Sequence, residues 1–310
     1  MTQALTEQHH DVSQGQTMRR ALLHGPHDLR LRDERRPEAL PGEVMLRHSA
    51  VSVCGSDMHD HHEGGTGPAA IKAPTTPGHE FAATVIGGSG ERFGLPDGSL
   101  VAADPAQNCG HCEQCLAGYP NLCPNVRFLG SPGVNGGLAE YVPVPPHSLF
   151  AVPEDSAPAL TALPEPLGAA LHALDITNIR PMSGVTVLGA GPIGRMIAQV
   201  ARVCGAAHVR GEADVLEATI CPDAPDQAAQ VARIGGRVTL VGIPDGDRFE
   251  MNAANARRKA PIIKMSRRMG QIYPRATELV SRGRLDIASI STHHYDLKAV
   301  THPKRSVPTM

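Results

Sequence analysis

The sequence predicts an α/β protein in two parts, a strand-rich amino-terminal part followed by a part with a parallel sheet. In the first part, short apolar runs separated by Gly and Pro are typical of an antiparallel, barrel-like unit. In the second part, the apolar run Val185–Leu188 leads into a glycine-rich turn and then into the helical pattern of Arg195–Val203. With 310 residues, the chain is long enough for two domains of ordinary size.

The strand-rich part begins after a polar stretch, residues 1–17, which we expect to form a disordered tail. Order is predicted from near Met18, where short apolar stretches surround a Gly–Pro turn. Further strands are predicted at Val44–Val53, at Phe81–Ile86 and, each after a turn, within Asp97–Ala102 and Gly136–Val144.

Composition excludes several classes of partner. The formal net charge of -2 gives no reason to expect nucleic acid or an anionic membrane as a partner. Aromatic residues make up 3% of the chain and Trp is absent, so stacking platforms for single-stranded nucleic acid are not expected. No apolar run reaches the length of a membrane span, and the polar amino terminus does not resemble a signal peptide. We therefore predict a cytoplasmic location.

Four cysteines with the spacing C-x2-C-x2-C-x7-C predict a structural zinc site: Cys109, Cys112, Cys115 and Cys123. Four thiolates can complete a tetrahedron around one zinc ion and leave no open position. An iron–sulfur cluster is an alternative, but the bacterial ferredoxin run has three residues before its last Cys, and no second set of cysteines follows. Disulfides are disfavoured in the predicted compartment. His111 lies within the loop and is expected to be a bystander.

A second metal centre is predicted within Val51–Glu80. Cys54, His79 and Glu80 offer a thiolate, an imidazole and a carboxylate, the ligand set of a catalytic zinc that keeps one position open. Ser56 could pass a proton beside the metal. The alternative interpretation is a buried Cys with scattered surface histidines. Three nearby histidines are expected to form such a solvated cluster: His59, His61 and His62.

Glu165 stands at the start of a predicted helix. The helix dipole favours a carboxylate there, either as a cap or as a group that faces a metal ion. The local sequence leaves both roles open.

The run Gly189-Ala-Gly191-Pro-Ile-Gly194 lies between the predicted strand and helix, which is the context of a dinucleotide-binding turn. Its glycines allow a tight turn and a close approach of the backbone to a pyrophosphate at the helix amino terminus. The pattern also calls for an acidic residue about 20 residues later, on the ribose. Glu212 and Asp214 have suitable separations, but neither ends an adequate second strand, so neither is assigned.

The remaining chain predicts further βα units. They comprise a strand at Asp214–Ala218, a helix at Pro225–Ile234, a strand at Arg237–Ile243 and a helical segment, Lys264–Arg284, centred on Ile272–Val280.

These motifs together resemble the zinc-dependent medium-chain dehydrogenase/reductase (alcohol dehydrogenase) superfamily, and within it the sorbitol (polyol) and threonine dehydrogenase branch. The resemblance covers roughly Met18 to Asp296. It is carried by CGSDMH at 54–59, PGHE at 77–80, the four-cysteine loop, GGLAEYV at 136–142, EPL at 165–167, GAGPIG at 189–194 and GGRVTLVGIP at 235–244.

The resemblance implies a GroES-like catalytic domain at 18–165, a Rossmann-type, doubly wound domain at 166–296 and a tail at 297–310. It implies hydride transfer between a secondary alcohol or polyol and NAD(P), and a possible homo-oligomer. Catalytic zinc would be held by Cys54 and His79, with Glu80 or Glu165 as the carboxylate, and Ser56 would begin a proton relay. The other implied ligands are Cys109, Cys112, Cys115 and Cys123 for structural zinc, and Gly189, Gly191, Pro192, Ile193 and Gly194 for the cofactor.

The chain departs from this family between Val209 and Arg210. A segment of roughly 30 to 40 residues, the size of a βαβ unit, is expected there and would include the acidic residue on the ribose. Its absence should expose apolar faces of neighbouring elements. The carboxyl-terminal segment is also short. A second hypothesis is therefore a catalytically impaired homologue that keeps its zinc sites and acts as a binding or assembly protein.

Overall fold

The computed structural model describes residues 17–66, 69–207 and 213–301. The first sixteen residues of the predicted tail, the last nine residues of the chain, and Val209, Arg210 and Glu212 lie outside the described residues. Among the described residues, no helix combines the length and the apolar character that a bilayer crossing needs.

The amino-terminal part is built from short antiparallel strands, as the Gly- and Pro-punctuated sequence predicts. Its strands are β1 (Thr17–Leu23), β2 (Leu29–Arg35), β3 (Val44–Ser52), β4 (Gly65–Thr66), β5 (Ala69–Ala70), β6 (Glu80–Gly88), β7 (Leu100–Ala103), β8 (Ala106–Gln107), β9 (Arg127–Phe128), β10 (Tyr141–Val144) and β11 (Leu149–Ala151). Its helices are α1 (Gly55–Glu63), α2 (Glu113–Leu116) and α3 (Pro158–Thr161).

The main sheet of this part has the strand order β10-β3-β6-β7-β11, with every neighbouring pair antiparallel. Its core is formed by apolar side chains that alternate along the central strands, among them Leu46, Phe81, Val85 and Val101, all fully buried. The strand β6 is paired on both sides and carries the buried pair His79–Glu80 at its beginning. A rigid central strand therefore positions these two polar residues.

The second part alternates helices and strands. Its helices are α4 (Pro164–Thr177), α5 (Pro192–Val203), α6 (Ala224–Val231), α7 (Ala253–Lys259) and α8 (Tyr273–Ser281), and its strands are β12 (Val185–Leu188), β13 (Asp214–Glu217), β14 (Arg237–Leu240) and β15 (Ile262–Met265). The four strands form a parallel sheet in the order β12-β13-β14-β15, which confirms the predicted α/β organisation.

Helices cover both faces of this sheet. α4, α5 and α8 share a core with Val185 and Leu216 on one face, whereas α6 packs against Val215 and Val238 on the other. Burial is greatest at the centre: every residue of β13 is buried, β12 is half-buried after Val185, and all four residues of β15 are exposed. The two sheet edges among the described strands are thus β12 and β15.

The predicted helical segment Lys264–Arg284 is wrong at its start. Lys264 and Met265 belong to β15, which pairs in parallel with β14, and the helix begins only at Tyr273. The β-branched pair Ile262–Ile263 favours a strand, and the edge of β14 supplies its hydrogen-bond partners. Leu297–Thr301, expected in the tail, forms a 3-10 helix against β1 and β2.

The two parts share buried contacts. The Tyr273 hydroxyl donates a hydrogen bond of 2.6 Å to the carbonyl oxygen of Ala103, at the end of β7, and both groups are buried. The side-chain amide of Asn121 donates to the carbonyl oxygen of Arg267 at 3.1 Å. These contacts hold the parallel-sheet part against the amino-terminal part.

Candidate metal centres and nucleotide-binding turn

The first candidate centre begins at the amino terminus of α1. Cys54 is the residue before the helix, and the Asp57 carboxylate accepts a hydrogen bond from its backbone N–H at 2.9 Å. This is the arrangement of a capping residue three positions into a helix, and it fixes the path of the chain through Cys54. The Cys54 side chain is half-buried.

Gly78 allows the next segment to approach. It has a φ of +92°, and a side chain there would lie 2.9 Å from a methyl group of Val51. Its N–H donates to the second oxygen of Asp57 at 3.1 Å. Asp57 therefore joins the start of α1 to the segment that leads into β6.

Three ligand atoms converge at this point. The sulfur of Cys54, a ring nitrogen of His79 and a carboxylate oxygen of Glu80 all lie within 4.8 Å of one another. His79 and Glu80 are buried. A thiolate, an imidazole and a carboxylate form a donor set that suits zinc, and three protein ligands leave a position open.

Asp57 orients the imidazole, a role that was not predicted from the sequence. Its carboxylate oxygen lies 3.4 Å from Nδ1 of His79. Burial alone would lower the pKa of His79, but the hydrogen bond and charge of Asp57 raise it well above its usual value. An acceptor on Nδ1 leaves Nε2 for a metal ion. The spacing of Cys54 and Asp57, typical of a helix-capping pair, was the available signal.

The carboxylates at this centre are poorly solvated. Burial raises the pKa of Glu80, whose carboxylate accepts a hydrogen bond from the Ser52 hydroxyl. Burial, followed by the charges of neighbouring carboxylates, raises the pKa of Glu165 to about 8. A cation would stabilise the charged form of both groups. The chemistry of these donors therefore fits a divalent metal ion.

Glu165 occupies the second position of α4 and is 7% exposed, so a cap open to water is not its environment. It lies close enough to Cys54 and Glu80 to influence their charges, but it is outside the group of three converging ligand atoms. Ser56 lies half-buried in the first turn of α1.

The predicted solvated histidine cluster is wrong for His59. This side chain is 8% exposed and lies 3.4 Å from a carboxylate oxygen of Glu63, one turn further along α1. Helical periodicity turns position 59 towards the protein, whereas His62 faces solvent.

The second candidate centre is the four-cysteine loop. Its sulfur atoms lie within 4.8 Å of one another, with separations of 4.0 Å for Cys109–Cys115, 3.8 Å for Cys112–Cys123 and 3.6 Å for Cys109–Cys123. A tetrahedral zinc with Zn–S distances of about 2.3 Å requires sulfur atoms about 3.8 Å apart, whereas a disulfide requires about 2.05 Å. The geometry fits a closed zinc site.

His111 does not join the sulfur atoms. Its Nδ1 lies 2.7 Å from the carbonyl oxygen of Cys109, while its backbone N–H is the main group that lowers the pKa of the Cys109 thiol to about 6. Four cysteines fill the site without the imidazole.

The glycine-rich turn joins β12 to α5. Gly189 has a φ of +113°, and a side chain there would lie 2.4 Å from the carbonyl oxygen of Ala218. A side chain at Gly194 would lie 2.0 Å from the carbonyl oxygen of Gly189, so both positions require glycine. At Gly191, in contrast, a side chain would meet nothing within 4 Å. The exposed turn at Gly191–Pro192 therefore has room for a ligand at the start of α5, before Ile193.

The sheet around this turn lacks a reversal of strand order among the described strands. Dinucleotide-binding sheets place strand 1 between strands 2 and 4, and the crevice lies where the order reverses. Here β12 has one neighbouring strand, β13, in the part of the chain that the structure describes. Asp214 does not serve the missing role because it starts β13 and is buried against Arg233 and Arg237.

Known proteins are similar to both the amino-terminal part and the parallel-sheet part of this chain. The Alcohol dehydrogenase GroES-like domain matches residues 40–154. Sorbitol dehydrogenase of Bacillus subtilis (strain 168) is 28% identical over 324 aligned positions, covering 91% of each chain. Probable D-xylulose reductase A of Aspergillus clavatus is 35% identical over 189 positions, which cover 61% of this chain and 53% of that protein.

A solved structure from Sinorhizobium meliloti 1021, assigned as a zinc-binding dehydrogenase and bound to NADP, superposes with a TM-score of 0.79. It is 28% identical and is matched over 88% of this chain and 91% of that chain.

The alignment with sorbitol dehydrogenase also contains gaps in this chain. It spans 324 positions but includes 91% of the 310 residues, so about forty positions have no counterpart here. This size agrees with the segment of roughly 30 to 40 residues, one βαβ unit, that the sequence predicts to be absent.

Proposed function

We propose that the chain is a member of the zinc-type medium-chain dehydrogenases, to which it is similar, and that it oxidises a secondary alcohol of a polyol, with NAD(P) as the hydride acceptor. The observation that carries this proposal is the convergence of Cys54, His79 and Glu80 at a buried point reached from two segments of the chain. The names of the sorbitol and xylulose relatives support a polyol as the substrate class.

We assign Cys54, His79 and Glu80 as ligands of a catalytic zinc, and Glu165 as a carboxylate beside it. A zinc ion bound at this centre would supply a Lewis acid that lowers the pKa of the alcohol. Bound NAD(P) would supply a nicotinamide that accepts hydride. Asp57 holds the His79 ring, and the Ser52 hydroxyl holds Glu80. Ser56 receives the alcohol proton in this proposal.

The cofactor assignment rests on the glycine-rich turn. Gly189 and Gly194 make the turn tight, and Gly191 leaves its backbone open to a pyrophosphate. The cofactor of the Sinorhizobium meliloti structure supports this assignment. Structural zinc is assigned to the four-cysteine loop.

A second candidate function, a zinc protein with impaired dehydrogenase activity, is favoured by one observation. β12 lacks a strand on its outer side among the described residues, so the adenosine half of the cofactor has fewer contacts than in a complete sheet. The names of the relatives, one a dehydrogenase and one a reductase, favour the enzyme.

The test measures NADH and NADPH formation with a panel of polyols, on protein whose zinc content is known. For Glu80→Gln, we expect zinc loss at this centre and a fall of about a thousandfold in kcat/KM, because a ligand is removed. For Glu165→Gln, we expect zinc to stay and kcat/KM to fall about tenfold, the effect typical of an outer partner.

Glu154→Gln is the matched control, since Glu154 is exposed and belongs to neither group of converging ligand atoms. Two zinc ions per wild-type chain, with no turnover and no saturable binding of either cofactor, would reject the enzyme in favour of the second candidate. Zinc loss in Glu165→Gln but not in Glu80→Gln would exchange the roles of the two carboxylates.

The predicted domain boundaries, homo-oligomer and cytoplasmic location are part of the proposal. An oligomer is supported by the exposed edge strand β15, where Ile262 and Met265 are 54% and 61% exposed. Light scattering tests the oligomer, and cell fractionation tests the location.

A further inference from the structure

A group of histidines outside both zinc centres lies where the β1–β2 turn meets the end of α1. His27 comes from the turn, and His61 and His62 come from the last turn of the helix. One ring nitrogen from each of the three side chains lies within 4.8 Å of the other two. His61 and His62 were predicted to cluster with His59, and their sequence positions do not indicate that His27 lies beside them.

The backbone holds His27 at this position. Its N–H donates a hydrogen bond of 2.7 Å to the carbonyl oxygen of His61, and its φ is +58°, an uncommon conformation for a residue other than glycine. The turn is closed by the N–H of His24, which donates to the carbonyl oxygen of Asp28 at 2.9 Å. The position of the His27 backbone is therefore set by two backbone contacts.

The helix end is equally constrained. Gly64 ends α1 with a φ of +81°, and a side chain there would lie 3.0 Å from the ring of Pro26. The chain thus packs the turn directly on the helix terminus. The helix dipole places partial negative charge at this end, which favours a bound cation.

The three imidazoles face one another. Their ring centroids are 5.2 Å apart for His27–His61, 5.2 Å for His27–His62 and 5.3 Å for His61–His62. Nδ1 of His61 is buried and has no hydrogen-bond partner in the described part of the chain. A buried ring nitrogen without a partner is a costly arrangement that a bound ion would relieve.

From this geometry we propose that His27, His61 and His62 form a third metal site, which binds a divalent transition metal such as Zn²⁺, Ni²⁺ or Cu²⁺. Imidazole nitrogens suit these ions, whereas Mg²⁺ and Ca²⁺ prefer oxygen ligands. Zinc–nitrogen distances of about 2.0 to 2.1 Å require nitrogens about 3.4 Å apart. The exposed rings of His27 and His62 can rotate to reach that separation. Water or a small anion completes the coordination.

A metal ion at this site would join the β1–β2 turn to α1, whose opposite end adjoins Cys54. It would act on the stability of that contact and not on the hydride-transfer step, so this inference does not depend on the proposed function.

The experiment titrates Ni²⁺ into the full chain by calorimetry, with both zinc centres already filled. We expect one Ni²⁺ per wild-type chain with a dissociation constant in the micromolar range, and at least tenfold weaker binding in His27→Asn and in His62→Gln. Asn is chosen at position 27 because it tolerates a positive φ. The Cu²⁺ complex should show nitrogen hyperfine structure in its electron paramagnetic resonance spectrum, reduced in both variants.

Two controls make the result specific. His147→Gln removes an exposed histidine elsewhere and should bind Ni²⁺ as the wild type does. The chain has two other adjacent pairs, His9–His10 and His293–His294, and the second pair is exposed. Unchanged Ni²⁺ binding in His27→Asn and His62→Gln, with loss of binding in a variant that replaces either of these pairs by Gln, would overturn the proposal, as would no Ni²⁺ binding to the wild type.

Discussion

The two sheets of this protein support their candidate sites in different ways. In the amino-terminal sheet, β6 lies at the centre, is paired on both sides and carries His79 and Glu80 at its start. In the parallel sheet, β12 leads into the glycine-rich turn but lies at an edge among the described strands. The candidate metal centre therefore adjoins a central strand with two neighbours, whereas the glycine-rich turn follows a strand with a single neighbour among the described strands.

The difference shows how much surrounding structure each kind of site requires. A metal ion needs a few atoms at fixed distances, and short segments such as the four-cysteine loop supply them. A dinucleotide extends across two halves of a sheet and needs the crevice that a reversal of strand order creates. The candidate metal centres therefore have their donor groups in place, whereas the strand that leads into the candidate nucleotide-binding turn has one neighbouring strand in the described chain.

The largest effect should come from the closed zinc site. We expect Cys112→Ser to lose one zinc per chain and to lower the free energy of unfolding of the amino-terminal part by about 4 kcal/mol, because loss of a structural metal is among the most damaging single changes. Metal analysis and chemical denaturation measure the two effects.

Cys221→Ser is the matched control, since Cys221 is exposed and outside the loop. Full zinc content in Cys112→Ser would show that the loop does not bind metal through four thiolates. The loop would then no longer be an example of a short segment that supplies a complete metal site.

A smaller effect is expected in the glycine-rich turn, where two substitutions separate folding from binding. Gly194→Ala should lower the free energy of unfolding by about 3 kcal/mol, because the added methyl group meets the backbone of Gly189. Gly191→Ala should change it by less than about 1 kcal/mol, since the position is open and its φ is -69°.

Both variants should weaken NADH binding, measured by titration of nicotinamide fluorescence. Wild-type affinity in Gly191→Ala would show that the cofactor does not approach this turn. The parallel sheet would then lack the one cofactor contact that we assign to it.

An effect smaller than that of Gly194→Ala is expected as a pH dependence within the amino-terminal sheet. The ring nitrogens of His48 are buried, its ring lies edge-on to Phe81 at 4.8 Å, and burial lowers its pKa to about 4. The folded state therefore favours the neutral ring. This contribution is fully present above the unfolded pKa of about 6.5 and is lost as the pH falls from there to about 4.

From pH 7 to pH 5, the titration of His48 should lower the free energy of unfolding of the wild type by about 2 kcal/mol. His48→Gln should not show this decrease. Denaturant unfolding at the two pH values measures the difference, with His147→Gln as the control. Equal losses in the wild type and in His48→Gln would show that the acid sensitivity arises elsewhere.

The sequence was most informative where the interacting residues are close together. The cysteine spacing and the glycine-rich turn predicted local geometry because each lies within a loop of about fifteen residues or fewer. The fold class could be predicted because several motifs occur together in a known order, and the same motifs contain the candidate metal ligands. In the alignment with sorbitol dehydrogenase, about forty positions have no counterpart in this chain, and this number agrees with the size of the predicted missing segment.

Other features depend on packing that no local pattern encodes. The run Ile262–Met265 is short and exposed along its whole length, so its pattern did not distinguish a strand from the start of a helix; pairing with β14 decided the outcome. His27 meets His61 and His62 because the β1–β2 turn packs on Gly64. That contact joins positions distant in sequence, and neither segment predicts it alone.

The sequential order of the parallel sheet has a consequence for how the chain folds. In a sheet ordered 3-2-1-4-5-6, the fourth strand must return to the first after two others have been added. Here β13 joins β12, β14 joins β13 and β15 joins β14, so each pairing closes the shortest available loop. Local pairings carry a lower entropic cost and form faster than distant ones. This sheet can therefore grow one strand at a time, in the order in which its strands emerge from the ribosome.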